Sequence, residues 1–140
     1  MRRLVFWLAL LGIALAACAT NNTNSLPTDY ASLAPPPGIL DSPDAIAQGR
    51  VLFLQDCAAC HGVRGDGRGK MRATFGPPPA NFTDPVLRVQ RTPQYLFWRI
   101  SEGGRVEPFR AQGSIMPAWK YQLSEAERWQ LVAFLRTLAP

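Results

Sequence analysis

Apolar residues recur at helical spacing in three stretches of the chain, beginning near Ser42, Thr92 and Ser124. Each stretch opens with a side-chain hydroxyl that can cap a helix, and proline occupies the first helical position after Ser42 and Thr92. Glu127, three residues after Ser124, completes a capping box. The pattern predicts three helices, the second of which ends at Gly103.

One glycine interrupts the apolar face of the first predicted helix. Gly49 lies between Ile46 and Phe53 on that face, although glycine inside a helix costs about 1 kcal/mol relative to alanine. We therefore expect another helix to cross closely at Gly49. The last helix has a broad apolar face, and either Trp129 or Phe134 is expected to lie against this glycine.

The first residues have the pattern of a bacterial lipoprotein signal. Arg2 and Arg3 precede an apolar run over residues 4–15, which is too short for a comfortable membrane-spanning helix. Small residues then precede Cys18, as in a lipobox, so residues 1–17 are predicted to be removed and Cys18 to be lipidated. The alternative is ordinary secretory cleavage beside Cys18, which would leave its thiol free.

Residues 18–41, with the lipidated cysteine at their start, are rich in Asn, Thr, Ser and Pro and show no sustained hydrophobic period. This composition predicts a flexible tether ahead of a single folded domain at residues 42–140. The alternative is a segment that wraps a specific partner subunit.

Two cysteines and the chain's single histidine form the motif Cys57-Ala58-Ala59-Cys60-His61. The C-x-x-C-H spacing is typical of c-type haem attachment, in which both thiols form thioethers and the histidine binds the iron. A thioredoxin-like pair would give the histidine no role, and zinc would need further ligands. The motif predicts one covalent haem c held by Cys57 and Cys60, with His61 as an axial ligand.

The segment after the motif is glycine-rich and basic. Residues 64–72 contain four basic side chains and only Asp66 as a counter-charge. No strand precedes the glycines, so a phosphate-binding loop is not indicated. The positive charge is interpreted either as a solvated face or as a docking rim for an acidic protein. The formal net charge of the whole chain is +5, and it falls when Arg2 and Arg3 are removed with the signal. The remaining charge is too small to indicate a nucleic-acid partner.

The haem motif, the glycine-rich loop, a proline-rich segment, Met116-Pro117 and a closing helix together resemble a class I cytochrome c over residues 42–139. The resemblance implies an all-α fold of three to five helices around one covalently bound haem, with first and last helices nearly perpendicular. Within that family the chain resembles the single-haem lipoprotein cytochromes that accompany alternative complex III and similar respiratory assemblies.

The resemblance also implies roles for residues of the proline-rich segment. A proline-bearing loop of such proteins offers a backbone carbonyl to the haem histidine, so one of residues 77–79, with Pro78 and Pro79 as the named candidates, is expected to do so. Phe82 is expected to pack on the porphyrin, and Asn81 and Thr83 to make polar contacts with it. Trp98 is expected in the core, with a propionate hydrogen bond as its alternative role.

The sixth iron ligand is chosen from few candidates. His61 is the single histidine, which excludes bis-histidine ligation within one chain. Met71 lies close to His61 in sequence, whereas Met116 lies in a constrained Gly-Ser-Ile-Met-Pro loop that matches the late Met-Pro of the family. Met116 is the predicted ligand, and Lys120 and an open site remain alternatives.

These features predict a membrane-anchored mono-haem cytochrome that transfers single electrons and catalyses no reaction of its own. Expected partners are a quinol-oxidising complex, a terminal oxidase or another cytochrome, with neither nucleic acid nor a small-molecule substrate. The predicted location is the periplasmic face of a bacterial membrane, inner or outer. The alternatives are a peroxidase-like or gas-sensing module with an open sixth site, and a fixed haem subunit of a larger assembly.

Overall fold

The computed structural model describes residues 26–72 and 76–138. Within these ranges the chain is helical and contains no strand, which confirms the predicted all-α class. The α-helices are α1 (Thr28–Ala31), α2 (Pro43–Leu52), α3 (Ala58–His61), α4 (Pro85–Gln90), α5 (Pro93–Glu102) and α6 (Glu125–Leu135). A π-helical turn, Phe53–Cys57, joins α2 to α3, and 3₁₀ turns lie at Ile39–Asp41, Gly103–Arg105 and Trp119–Tyr121. None of the helices in these ranges has the length and apolar character needed to cross a bilayer.

The three predicted helix starts are confirmed. The side-chain oxygens of Ser42, Thr92 and Ser124 each accept a hydrogen bond from a backbone amide in the first turn of α2, α5 and α6. The Glu127 carboxylate in turn accepts from the Ser124 amide, which completes the capping box. Helix α5 ends at Glu102, directly before Gly103, whose φ of 58° favours glycine.

Helices α2 and α6 cross closely at Gly49. A Cβ atom on this residue would lie 2.6 Å from the carbonyl carbon of Gln130 and 2.9 Å from the Cβ of Phe134. The predicted crossing is therefore confirmed, with Phe134 as the aromatic neighbour. Trp129, the other residue expected there, instead stacks on Phe97 of α5 with ring centroids 4.2 Å apart.

The aromatic core continues from this crossing toward the haem motif. Phe53, one turn after Gly49, is 1% exposed and packs on Phe134 with ring centroids 5.3 Å apart. Phe53 is also the first residue of the π-helical turn that ends at Cys57. Core packing of α2 on α6 therefore determines where the cysteine motif begins.

The segment before α2 differs from the predicted flexible tether. From residue 26 onward it is folded, with one helical turn at α1, and four of its apolar side chains pack against the core: Tyr30, Leu33, Ile39 and Leu40. The tether prediction is corrected for residues 26–41, because this proline-rich stretch has enough well-spaced apolar residues to cover the core. The signal sequence, Cys18 and residues 19–25 lie outside the described residues.

Replacement of Gly49 by leucine is expected to lower the free energy of unfolding by about 1 to 3 kcal/mol, because the new side chain would overlap the backbone of α6. Urea unfolding of the purified protein measures this loss. The matched control is Ala47→Leu, at an exposed position of the same helix, which should change stability little. Equal unfolding midpoints for the two variants would contradict the close crossing.

Candidate functional site: a cysteine, cysteine and histidine cluster

Cys57 and Cys60 form no disulfide with each other, and both lie in half-buried positions. Burial raises the pKa of the Cys57 thiol to about 12, with further contributions from Asp56 and Cys60. A redox-active C-x-x-C pair needs a lowered thiol pKa. Burial of Cys57 therefore disfavours the thioredoxin-like interpretation.

The His61 ring is held in one orientation by contacts on two sides. Its Nδ1 donates to the backbone carbonyl of Ala80 over 3.2 Å, since a carbonyl can only accept. The ring stacks on Phe82, with centroids 5.0 Å apart and planes 28° apart. Burial lowers the pKa of His61, although the bond to Ala80 opposes this shift. The neutral ring thus carries its proton on Nδ1 and keeps the Nε2 lone pair for a metal.

The carbonyl that orients His61 belongs to Ala80, which corrects the expectation that one of residues 77–79 supplies it. The loop approaches Gly67 closely before it reaches the histidine, because a Cβ on Gly67 would lie 2.7 Å from the Pro79 carbonyl oxygen. With Pro79 directed there, the next carbonyl faces His61. Pro78 is exposed and Pro79 half-buried. Because proline fixes φ, these residues stiffen the segment that approaches His61.

The glycine-rich loop forms a layer between the cysteine motif and the proline-rich segment. The amide of Gly67 donates to the His61 carbonyl over 2.7 Å, and that of Gly69 donates to the Cys60 carbonyl over 3.1 Å. On the other side, the Gly65 carbonyl accepts from the Phe82 amide over 2.7 Å. Backbone contacts this close leave no room for side chains, so the glycines of this loop serve packing around His61.

The charges of the loop are distributed unevenly. Arg64 forms an ion pair of 3.1 Å with Asp66 and lowers the pKa of that carboxyl group. Among the described residues, the side chains of Arg68, Lys70 and Arg72 are exposed and form no ion pair. The loop therefore presents a positively charged surface next to the cysteine motif.

Two predicted polar contacts to the cofactor are used within the chain. The Asn81 side-chain oxygen accepts from the Thr83 amide over 3.0 Å and from the Thr83 hydroxyl over 2.7 Å. This turn leads into α4, which the sequence analysis did not predict and which Asp84 caps. These polar atoms therefore already have partners within the chain. Contacts of Asn81 and Thr83 with the cofactor stay predictions.

Trp98 lies in the core, as expected. It is 2% exposed and makes edge-on contacts with Tyr95 and Phe109, at centroid distances of 5.5 and 5.9 Å. Through Phe109 the indole borders the loop that leads to Met116. The alternative role, a propionate hydrogen bond, stays a prediction.

Met116 is half-buried and its backbone is fixed against the end of α5. Its carbonyl accepts from the Gly104 amide over 2.8 Å. The residue borders a cleft of about 620 Å³ whose other lining side chains include Arg105, Arg110, Ser114, Ile115 and Tyr121. The Met-Pro loop is thus supported by hydrogen bonds before any metal is considered.

The competing sixth ligands are placed less favourably. Met71 is 70% exposed, and its carbonyl lies 3.5 Å from the Cys60 sulfur, on the side of the glycine-rich loop. Lys120 forms an ion pair with Glu102, with its Nζ 2.8 and 2.9 Å from the two carboxylate oxygens. The hydrogen bond to Glu102 raises the pKa of Lys120, so its nitrogen is protonated and cannot bind a metal.

Sequence reasoning missed Arg99 as well as Ala80. The Arg99 guanidinium donates to the Gly103 carbonyl and lies 3.4 Å from the centroid of the Phe109 ring. Burial lowers the pKa of Arg99 to about 10. The sequence signal was a basic residue inside a helix with a broad apolar face, and the structure explains it as a support for the loop that leads to Met116.

The cluster suits a covalently attached haem. Two cysteine sulfur atoms three residues apart and an imidazole that immediately follows them would provide both attachment atoms and one axial ligand. The backbone around them is rigid, since Ala80, Phe82 and the glycine-rich loop all contact the motif. Cys57 and Phe82 also border the apolar core, which suits a large apolar macrocycle.

Comparison with known proteins supports the same assignment. No curated protein sequence matches this chain. A solved Kuenenia stuttgartiensis complex, the reducing HAO-like protein complex Kustc0457/Kustc0458, contains a similar chain with a TM-score of 0.59 and 25% identity. The match covers 77% of this chain and 47% of that one, so this chain spans about half the length of the relative. The KustC0563 c-type cytochrome is 27% identical, with a TM-score of 0.49 over 66% of this chain and 98% of that chain.

The cytochrome c family model matches residues 46–139, which include the cysteine motif, His61, Ala80 and Met116. Members hold haem c covalently and transfer electrons, a role that the thiol and imidazole geometry described above supports. With most of its folded part matched, the chain belongs to the cytochrome c family.

Proposed function

We propose that this chain is a membrane-anchored mono-haem cytochrome that passes single electrons in a bacterial respiratory chain. The observation that carries the proposal is the His61 ring, whose Nδ1 is bound by the Ala80 carbonyl and whose Nε2 is therefore left for iron. Haem c bound here supplies a reversible one-electron couple. The polypeptide would attach the group through Cys57 and Cys60 and orient it through His61.

The proposed axial pair is His61 and Met116. Met116 is half-buried and its carbonyl is bound by the end of α5, whereas the Met71 side chain is largely exposed. Histidine and methionine ligation raises the reduction potential of a haem. A high potential suits acceptance of electrons from a quinol-oxidising complex and their delivery to an oxidase.

Ligation by Met116, as proposed, would also disfavour the alternative, a peroxidase-like or gas-sensing module. Such a module needs an open coordination site for its reactant. Lys120, the other nearby candidate ligand, is protonated and paired with Glu102. Carbon monoxide binding by the reduced native protein would favour the sensing alternative.

The proposed membrane attachment is a lipid on Cys18. Only eight residue steps separate Cys18 from Leu26, where the described fold begins, so the connection spans at most about 29 Å. The folded segment at residues 26–41 thus keeps the haem domain near the membrane surface. Two or more acyl chains, at about 0.8 kcal/mol per buried methylene, would hold it there.

The proposed partners are redox proteins with an acidic surface near their own cofactor. Arg68, Lys70 and Arg72 are exposed, unpaired among the described residues and adjacent to the cysteine motif. Positive charge at that place accelerates association with a negatively charged protein. The similar chain in the Kuenenia stuttgartiensis structure belongs to a protein complex, which supports a role as a complex subunit alongside that of a carrier.

Replacement of Met116 by leucine tests the axial pair. The oxidised variant should lose the far-red charge-transfer band of an iron to thioether bond, and its reduction potential should fall, because leucine offers no ligand. Absorption spectroscopy and redox titration measure both effects. Met71→Leu is the matched control and should retain the wild-type band and potential. Loss of the band and a lower potential in Met71→Leu, with both retained in Met116→Leu, would show that the ligand assignment is wrong.

Charge reversal in the loop tests the docking surface. The double variant Arg68→Glu and Lys70→Glu should reduce the second-order rate of electron transfer to an acidic redox protein by about tenfold at low salt, with a smaller effect at high salt. Stopped-flow kinetics measure the rate. The control is Arg50→Glu with Arg136→Glu, which changes the net charge equally outside the loop. Equal slowing by the two double variants would indicate an effect of net charge and would contradict the proposed docking surface.

Replacement of Cys18 by serine tests the lipid anchor. The variant should move from the membrane fraction to the soluble fraction of cells, because it lacks the acylated residue. Cell fractionation followed by haem staining detects the change, and mass spectrometry of the wild-type amino terminus detects the acyl chains. Release of the wild-type protein by salt alone would argue against a lipid anchor.

A further inference from the structure

One tyrosine of the segment that precedes the family domain forms a hydrogen bond to the end of α5. Tyr30 of α1 lies before the matched region at residues 46–139. Its ring contacts Phe97 of α5, with centroids 6.2 Å apart, and its hydroxyl donates to the Glu102 carboxylate. Burial and the bond to Glu102 raise the pKa of Tyr30 to about 12, so the hydroxyl keeps its proton and remains a donor.

Glu102 joins Tyr30 to a second partner. It is the last residue of α5, and both its oxygens also accept from Lys120 Nζ, at 2.8 and 2.9 Å. Burial alone would raise the pKa of Glu102, but the hydrogen bonds from Lys120 and Tyr30 outweigh it and lower the pKa. With side chains only 15% and 33% exposed, Glu102 and Lys120 form a better protected ion pair than the others in the described residues.

Both residues of this ion pair adjoin the Met116 loop. Gly103 and Gly104 follow Glu102 directly, and the Gly104 amide donates to the Met116 carbonyl over 2.8 Å. Gly103 packs so closely on the Pro117 carbonyl that a side chain there would overlap it. Lys120 lies four residues after Met116, in the 3₁₀ turn Trp119–Tyr121. The loop is thus held on one side by the end of α5 and on the other by Lys120.

We propose that Tyr30, through Glu102 and Lys120, is a positioning residue that holds the Met116 loop in its ligand-bearing conformation. The inference rests on the proposed ligation of iron by Met116. Its consequence is that the segment nearest the membrane anchor is coupled to the sixth ligand. Displacement of the segment from α5, by a partner or by tension on the anchor, would loosen the loop and ease exchange of that ligand.

Replacement of Tyr30 by phenylalanine in the haem-loaded protein tests this coupling. The variant keeps the ring contact with Phe97 and loses the hydroxyl, with its hydrogen bond to Glu102 and its interaction with Ser101. Hydrogen exchange of the Gly104 amide should accelerate by about tenfold, as expected when a bond to a charged group is lost. The rate at which added imidazole displaces the sixth ligand of the oxidised protein should rise several-fold.

Tyr95→Phe is the matched control. Tyr95 contacts Trp98 on the same helix, and its hydroxyl makes no hydrogen bond to another described residue. This variant should exchange hydrogen and bind imidazole at wild-type rates. A second variant, Glu102→Gln, retains a neutral acceptor for Tyr30 but loses the ion pair with Lys120, and it should show larger effects than Tyr30→Phe.

The outcomes separate this inference from the proposed function. Wild-type rates in both Tyr30→Phe and Glu102→Gln would overturn the coupling, even with Met116 bound to iron. A wild-type protein that lacks the iron to thioether band would overturn the ligand assignment and the coupling to it. In that case faster hydrogen exchange of the Gly104 amide in Tyr30→Phe would show that Tyr30 stabilises the Met116 loop but does not affect an iron ligand.

Discussion

The close approach of α2 and α6 at Gly49 is the contact on which the remaining structure depends. With no side chain at this position, the two helix backbones come near enough for Phe53 and Phe134 to pack directly on each other. Phe53 begins the π-helical turn that ends at Cys57. The crossing therefore sets the position from which the cysteine motif enters the fold.

The next constraint is the return of the chain to His61. The glycine-rich loop folds back along the motif through hydrogen bonds to the Cys60 and His61 carbonyls, and the proline-rich segment then passes over that loop. This layering places the Ala80 carbonyl at His61 Nδ1. The polypeptide itself therefore sets the orientation and tautomer of the His61 ring and leaves Nε2 as the nitrogen that can bind a metal.

Local features of the sequence were sufficient to predict the helices that begin with capping residues, the crossing at Gly49 and the haem motif. Capping and periodicity depend on residues a few positions apart, so they can be read without tertiary structure. The supporting carbonyl was assigned to the prolines instead of Ala80, because the choice depends on how closely Pro79 approaches Gly67 across the loop.

The folded segment at residues 26–41 was missed for a similar reason. Its composition is typical of a linker, and its four core-contacting side chains are separated by prolines and polar residues without a helical period. These side chains contribute to stability only when α5 and α6 supply an apolar surface for them to cover. Arg99 was missed because its partners, the Gly103 carbonyl and the Phe109 ring, come together through the turn after α5.

The central claim is that one imidazole and one thioether bind the iron. Iron K-edge X-ray absorption of the oxidised wild-type protein tests it most directly, since sulfur and nitrogen ligands scatter differently. The account predicts a single sulfur scatterer together with nitrogen scatterers. A spectrum that requires only nitrogen or oxygen ligands, or a vacant sixth position, would contradict it.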